Sequence, residues 1–294
     1  MSALFRMRWL IRPIMSLAIL ELGLSFVPVP DWWEAGVFYE YLYSSRVQRA
    51  LFDAQEHNPL GYRDDPWSMD GKKIAFLGDS RTYGLFVSQP HTYSEQVELL
   101  SDWEGMNLGL PGATSFEGLD SMVPDALQFN PKAAVICLDI NSSLMSYVQR
   151  NSASGRNAIL SNLLRSSSTW MFIEGGWHSL FSERAPVIPL DEYKRQLTNI
   201  FETLSANGVE QNILLVGWTP LQDYPNLFTQ QEYDRYREAS REVARSKSIP
   251  ILEFRDVLRD LTIEQAYIGE HQIHLSEIAH QRIAKAVVGV LDDK

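Results

Sequence analysis

IAFLGDSRTYG, residues 74–84, is an apolar run that passes directly into a tight turn carrying Ser80. The pattern predicts a strand that ends at Gly78 and a helix that starts at the serine. In open α/β sheets, ligands and chemistry lie at the carboxyl ends of the strands. Backbone N–H groups at a helix start also attract a developing negative charge. Because a free serine is a weak nucleophile, this interpretation requires a base and further hydrogen-bond donors from elsewhere in the chain.

Strand patterns alternate with helical patterns from about residue 72 onward. The strand candidates are 73–78, 105–109, 133–138, 212–218 and 249–253. The helical candidates are 92–101, 115–129, 190–206, 231–246 and 276–291. This alternation predicts a parallel sheet covered by helices on both faces, which is a three-layer α/β/α sandwich.

Composition argues against a nucleic-acid partner, an intrachain disulfide and a metal or other cofactor. The chain has 294 residues and a net charge of −11 at pH 7 without any lysine- or arginine-rich run, so nucleic acid is not expected as a partner. Cys137 is the only cysteine, which rules out an intrachain disulfide, and its apolar neighbours predict a core position. The histidines His57, His91 and His178 lack ligand spacing, so neither a metal nor another cofactor is expected.

The N-terminus combines a basic flank, an apolar run and an aromatic pair. Three arginines precede the apolar residues 13–28, and Trp32 and Trp33 follow them. This arrangement is typical of a helix inserted with its N-terminus in the cytoplasm. No small-residue cleavage pattern follows, so residues 1–33 are interpreted as an uncleaved single-pass anchor in the bacterial cytoplasmic (inner) membrane, with the remainder extracytoplasmic. The alternative is a soluble buried helix, since the run is short for a bilayer span and Glu21 interrupts it.

The rest of the chain divides into a connecting segment, residues 34–71, and a domain spanning residues 72–294. Within that domain, residues 142–189 break the alternation of strands and helices and are too long for an ordinary connection. We interpret them as a lid-like insertion or a wall of the substrate site. A membrane-facing patch beside the anchor and a satellite hydrophobic cluster are the alternatives.

Four segments resemble, in order, the sequence blocks of the SGNH (GDSL) hydrolase superfamily. Gly78-Asp79-Ser80 resembles block I, residues 107–114 (NLGLPGAT) resemble block II, and residues 139–142 (DINS) resemble block III. Residues 271–276 (HQIHLS) resemble block V. The resemblance covers about residues 58–291 and implies a five-stranded parallel sheet with the flavodoxin-like order 2-1-3-4-5.

The resemblance also implies a role for individual residues. Ser80 falls on the nucleophile and His274 on the catalytic base. The backbone N–H groups of Ser80 and Gly112 and the side-chain amide of Asn141 fall on the oxyanion hole. Three such donors would converge on the negative charge of a tetrahedral intermediate.

The base departs from the family pattern in one respect. Family members carry an aspartate three residues before the histidine, and this chain carries His271 there, with Glu270 next to it. Three explanations are open: Glu270 swings in to orient His274, a backbone carbonyl orients His274 in a Ser–His dyad, or the activity is weak or lost. We favour a working dyad with Glu270 as a supporting group.

The sequence most resembles bacterial membrane-anchored members of the superfamily. Glu21-Leu22-Gly23, the approach from Asn58 to Arg63 and the turn from Gly78 to Gly84 carry this resemblance. It implies a serine esterase or O-acyltransferase that acts on an acylated small molecule or glycan, with O-acetylated glycan the first expectation. The alternative is a non-catalytic partner or glycan-binding subunit of a membrane-bound assembly, in which a polytopic membrane acyltransferase would be the partner.

Overall fold

The central sheet contains five strands: β1 (Lys73–Gly78), β2 (Glu104–Gly109), β3 (Ala133–Cys137), β4 (Gln211–Val216) and β5 (Ile251–Glu253). All neighbouring pairs are parallel, and the order is β2-β1-β3-β4-β5. The predicted α/β fold with a five-stranded parallel sheet is therefore confirmed. The register places Gly78 beside Gly109 and Cys137, so β1, β2 and β3 end together at one edge of the sheet.

The computed structural model describes residues 57–146, 185–220, 223–224, 228–268 and 272–292. The predicted anchor, most of the connecting segment and residues 147–184 of the predicted lid-like insertion lie outside these ranges. Within them, no helix is both long enough and apolar enough to cross a bilayer.

Helices cover both faces of the sheet. They are α1 (Ser80–Tyr83), α2 (Tyr93–Leu100), α3 (Ser115–Glu117), α4 (Val123–Leu127), α5 (Ile140–Ser143), α6 (Leu190–Ala206), α7 (Gln230–Ser246), α8 (Phe254–Val257), α9 (Ile263–Ala266) and α10 (Glu277–Asp292). A 3₁₀ turn (Gln89–His91) precedes α2, and a π turn (Gly118–Met122) joins α3 to α4. Three two-residue antiparallel pairs complete the elements: Met145–Ser146 with Ala185–Pro186, Asp223–Tyr224 with Phe228–Thr229, and Tyr267–Ile268 with His274–Leu275.

The core is divided by the sheet, because successive side chains of a strand point to opposite faces. Ala75 and Leu77 of β1 join the cluster formed with α6 and α7, whereas Ile74 and Phe76 join the cluster formed with α2 and α10. Cys137 is fully buried in the second cluster, and burial raises the pKa of its thiol well above the usual value. The three layers thus arise from the alternating apolar residues of the strands.

Three elements differ from their predicted ranges by more than one residue, each for a hydrogen-bonding reason. The fourth strand ends at Val216 because the next N–H, that of Gly217, bonds to a side chain. The fifth strand begins at Ile251, since the Ile249 N–H closes α7 and Pro250 has no N–H to donate. The predicted helix 115–129 is interrupted by the π turn Gly118–Met122, and α4 resumes at Val123, followed by Pro124, which also cannot donate.

α1 lies directly on the ends of β1 and β2, and two glycines permit this approach. A Cβ atom on Gly78 would lie 1.8 Å from Thr82 Oγ1, and one on Gly109 would lie 2.2 Å from the Tyr83 backbone nitrogen. Gly84 then ends α1 in the left-handed region, at φ 75°. The turn that carries Ser80 is therefore fixed by backbone packed against backbone.

The close approach at Gly109 predicts a position-specific cost. Gly109→Ala should lower the free energy of unfolding by about 1–3 kcal/mol or more, because the new methyl group overlaps the α1 backbone. Gly289→Ala is the matched control: a Cβ there meets nothing within 4 Å in α10, so this change should instead raise stability, by about 0.5–1 kcal/mol. Urea unfolding of both variants measures the difference, and a Gly109→Ala variant as stable as the parent would contradict the packing.

Candidate active site

Ser80 and His274 meet at the carboxyl edge of the sheet. Ser80 is the first residue of α1, and Asp79 caps this helix by accepting the Arg81 N–H at 2.8 Å. His274 Nε2 lies 3.1 Å from Ser80 Oγ, although 194 residues separate the two in sequence. Both side chains are partly exposed, so a substrate can reach them. The structure thus brings together the predicted nucleophile and the predicted base at hydrogen-bonding distance.

His274 is held by main-chain contacts of a short hairpin. Its strand, His274–Leu275, pairs with Tyr267–Ile268, and the Ser276 N–H donates to the Ala266 carbonyl. The Thr219 hydroxyl donates to the Gln272 carbonyl at 3.0 Å, which ties the hairpin to the loop after β4. The predicted base is therefore positioned by its hairpin and by the loop after β4.

The predicted supporting group, Glu270, and the residue at the family's aspartate position, His271, lie outside the described residues. Both Glu270 and His271 belong to the short stretch between Ile268 and Gln272 that the structure leaves undescribed.

The three predicted oxyanion donors come from separate elements. The Ser80 N–H is at the first position of α1, and Gly112 has a positive φ of 78° in the loop after β2. Within the described part of the chain, neither of these two N–H groups has an intramolecular acceptor. Asn141 on α5 donates from Nδ2 to the carbonyl of Ala113 at 3.1 Å. Since a side-chain amide carries two N–H bonds, this contact orients Asn141 beside Gly112 and leaves one N–H.

A buried ion cluster lies beneath the turn that carries Ser80, the predicted nucleophile. Arg81 donates from Nη2 to Asp79 Oδ2 at 2.7 Å and to Asp139 Oδ1 at 2.6 Å, and from Nη1 to the Tyr233 hydroxyl at 3.2 Å. Asp139 also accepts the Gly217 N–H at 2.7 Å. Burial lowers the pKa of Arg81, but the carboxylates of Asp79 and Asp139 more than offset this and hold it well above its usual value. The guanidinium is therefore a permanent positive charge under Ser80.

A second arginine holds the other end of α1. Arg63, in the predicted approach segment, is buried and donates to the carbonyls of Tyr83 at 3.2 Å, Gly84 at 2.6 Å and Val87 at 2.7 Å. The Tyr93 hydroxyl donates to Thr82 within the same turn.

Sequence reasoning named Arg63 only as part of a motif and gave Arg81 no role. The sequence does offer one indication of these roles: a charged residue that lies between apolar strand and helix patterns is expected to be buried, and a buried charge needs a partner.

Comparison with known proteins places the chain in a family. The model of the GDSL-like lipase/acylhydrolase family matches residues 76–282, which include Ser80, Gly112, Asn141 and His274. No curated protein matches the chain in sequence.

Solved structures share the fold at low sequence identity. A G-D-S-L family protein from Desulfitobacterium hafniense has 17% identity and a TM-score of 0.52 over 74% of this chain and 99% of its own. A lipase/acylhydrolase from Enterococcus faecalis has 16% identity and a TM-score of 0.52, with coverage of 75% and 95%. An acetyl-xylooligosaccharide esterase from Geobacillus stearothermophilus, solved as a variant, has 17% identity and a TM-score of 0.51, with coverage of 74% and 93%.

The chain therefore belongs to the GDSL-like lipase/acylhydrolase family, whose members are ester hydrolases. This agrees with the predicted family and enzyme class. The sequence blocks of the family lie where the structure assembles Ser80, His274 and the candidate oxyanion donors.

The buried cluster predicts that Arg81 is essential to the fold. Arg81→Met should lower the free energy of unfolding by about 3–5 kcal/mol, because it leaves the carboxylates of Asp79 and Asp139 buried without their cation. Arg195→Met removes an exposed partner of Glu192 and should leave the free energy of unfolding almost unchanged, because exposed ion pairs contribute little to stability. Chemical unfolding monitored by circular dichroism measures both, and equal losses would contradict the assigned role of the cluster.

Proposed function

We propose that this member of the GDSL-like family is a serine acyl hydrolase in which Ser80 is the nucleophile and His274 the general base. The observation that carries the proposal is the 3.1 Å separation of His274 Nε2 and Ser80 Oγ at the exposed carboxyl edge of the sheet. A serine becomes a useful nucleophile when a neighbouring base accepts its proton during attack. Both side chains are partly exposed, so the pair is accessible to an ester.

The proposed reaction has two steps, acylation of Ser80 and hydrolysis of the acyl-serine. Ser80 Oγ bonds to the ester carbonyl carbon while His274 Nε2 takes the hydroxyl proton, and the carbonyl oxygen becomes an oxyanion. The tetrahedral intermediate collapses, the ester C–O bond breaks, and His274 returns the proton to the leaving alkoxide. Water then attacks the acyl-serine with His274 again as the base, and collapse releases the carboxylic acid and restores the Ser80 hydroxyl.

The oxyanion would be stabilised by the N–H groups of Ser80 and Gly112 and by the second N–H of Asn141. A preorganised donor of this kind typically contributes about 10²–10³ in rate. The charge distribution beneath the site supports the same step. Asp79 directly precedes Ser80, and its carboxylate would oppose a nearby oxyanion if Arg81 did not neutralise it at 2.7 Å.

For the substrate we propose an O-acetylated glycan outside the cytoplasmic membrane. The N-terminal basic and apolar pattern supports an extracytoplasmic location, where acylated polysaccharides occur. Transfer to a sugar hydroxyl uses the same acyl-serine as hydrolysis, with the acceptor in place of water. We therefore propose hydrolysis or transfer by one Ser80–His274 centre, depending on which hydroxyl group enters the site.

Removal of the nucleophile tests the catalytic proposal. Ser80→Ala should lower kcat/KM for p-nitrophenyl acetate by about 10³-fold or more and abolish labelling by a fluorophosphonate. Ser88→Ala is a matched control, because Ser88 Oγ lies 2.6 Å from His91 Nδ1 in an exposed Ser–His pair outside the site. This control should keep both activity and labelling. Undiminished turnover or labelling in Ser80→Ala would overturn the proposal.

The proposed compartment can be tested in a bacterial host. The full chain should sediment with membranes after an alkaline wash, and protease added to spheroplasts should digest its folded domain. A chain lacking residues 1–33 should be soluble, because the apolar run would no longer be present. Recovery of the full chain in the soluble fraction, or protection of its domain from the added protease, would contradict an extracytoplasmic anchored enzyme.

A further inference from the structure

Phe86 stands at a position that is unfavourable for its residue type in two respects. It is the third residue of a turn closed by the Val87 N–H donating to the Gly84 carbonyl at 3.2 Å, and its φ is 72°. Turns with a positive φ at this position favour glycine or asparagine, and a bulky residue there is strained. Its side chain is also 61% exposed, which leaves much of an apolar ring in contact with solvent. Strain of this kind is retained where a side chain serves a function.

The turn that carries Phe86 is held rigidly. The buried guanidinium of Arg63 donates to the carbonyl of Gly84 at 2.6 Å and to that of Val87 at 2.7 Å, so it binds both ends of the turn. The Leu85 N–H donates to the Ser80 carbonyl at 3.0 Å. The direction of the Phe86 side chain is therefore set by the same backbone that positions the nucleophile.

The Phe86 ring lies against the proposed base. Its centroid is 5.0 Å from that of the His274 imidazole, with the two planes at 83°. The same imidazole presents Nε2 to Ser80 Oγ at 3.1 Å. An exposed aromatic surface thus borders the imidazole that would hand a proton to the departing alcohol.

We propose that Phe86 binds the alcohol part of the ester substrate, an inference that rests on the proposed serine acyl hydrolase function. The leaving oxygen must come within hydrogen-bonding distance of His274 Nε2 to receive its proton. The carbon skeleton attached to that oxygen then extends past the imidazole, toward the exposed ring of Phe86. A phenyl ring offers a flat apolar surface, so the alcohols it favours are those with a flat apolar face, namely a sugar ring or an aryl group.

Esters that vary only one part at a time test this assignment in the full-length enzyme. One series keeps acetate and changes the alcohol: methyl acetate, p-nitrophenyl acetate and acetylated xylo-oligosaccharide. A second series keeps p-nitrophenol and lengthens the acyl group from acetate to butyrate. In Phe86→Ala, kcat/KM for the aryl and sugar acetates should fall about tenfold, mainly through KM, since the loss of such an aromatic contact costs up to about 1.4 kcal/mol. Methyl acetate should change less than about twofold, because it offers no surface for the ring.

A second variant separates the side chain from the backbone. Phe86→Gly also lacks the ring but fits the positive φ, so it should melt a few degrees above Phe86→Ala and show the same altered alcohol preference. This variant provides the kinetic answer even if Phe86→Ala folds poorly. The pH dependence of kcat should match the parent enzyme in both variants, since His274 keeps its role.

Two results would overturn the assignment. An equal loss on all three acetates, with a displaced pH profile, would show that Phe86 positions His274 and does not bind the alcohol. A changed preference for acyl length with an unchanged alcohol preference would place the ring on the acyl side. Neither result affects the proposed function, which fails only if Ser80→Ala remains active or labelled.

Discussion

The buried guanidinium of Arg81 is the interaction on which the rest of this site depends. It joins the end of β1, through Asp79, to the end of β3, through Asp139, and its Nη1 contacts Tyr233 of α7. A buried cation is stable only when charged and hydrogen-bonding partners replace its lost hydration. The segments that carry Asp79, Asp139 and Tyr233 can therefore pack around Arg81 only if all three partners are present. The loop after β4 also packs closely against Arg81. A Cβ atom on Gly217 would lie 1.9 Å from Arg81 Nη1, so the close approach requires that residue 217 has no side chain. The cluster thus fixes the relative positions of three strand ends and one helix.

The same cluster shapes the electrostatics of the reaction that we propose. Two buried carboxylates face one guanidinium, and Asp139 also accepts the Gly217 N–H and the Tyr233 hydroxyl. Asp79, the carboxylate directly before Ser80, has both oxygens bonded to Arg81. The negative charge of Asp79, next to Ser80, is therefore neutralised by Arg81, and that of Asp139 is shared among three donors. Less negative charge is then left to oppose an oxyanion.

Much of the fold could be read from the sequence, because apolar alternation and strand-to-helix rhythm are local properties. β1 was predicted with its observed ends, and the long helices α6, α7 and α10 lie within a residue of their predicted ranges. Features that depend on pairing across the chain could not be read in this way. Arg81 and Asp139 are 58 residues apart, and neither residue alone shows that it is the partner of the other. The positive φ of Phe86 could not be predicted for the same reason. Arg63, 23 residues earlier, holds both ends of the turn, and only the fold reveals this contact.

The two arginines together explain how a helix of four residues can hold Ser80, the proposed nucleophile, in place. A single helical turn has no stability of its own, because it gains one or two hydrogen bonds for several fixed residues. α1 is held instead from outside: Arg81 locks its cap residue, and Arg63 satisfies carbonyls at its C-terminal end, where a positive charge also matches the helix dipole. Ser80 therefore owes its position to two positive charges, and the Gly78-Asp79-Ser80 motif contains neither of them, only the Asp79 partner of Arg81. In a related sequence, the presence of the motif without partners for these two charges would be weak grounds for inferring the same rigid nucleophile turn.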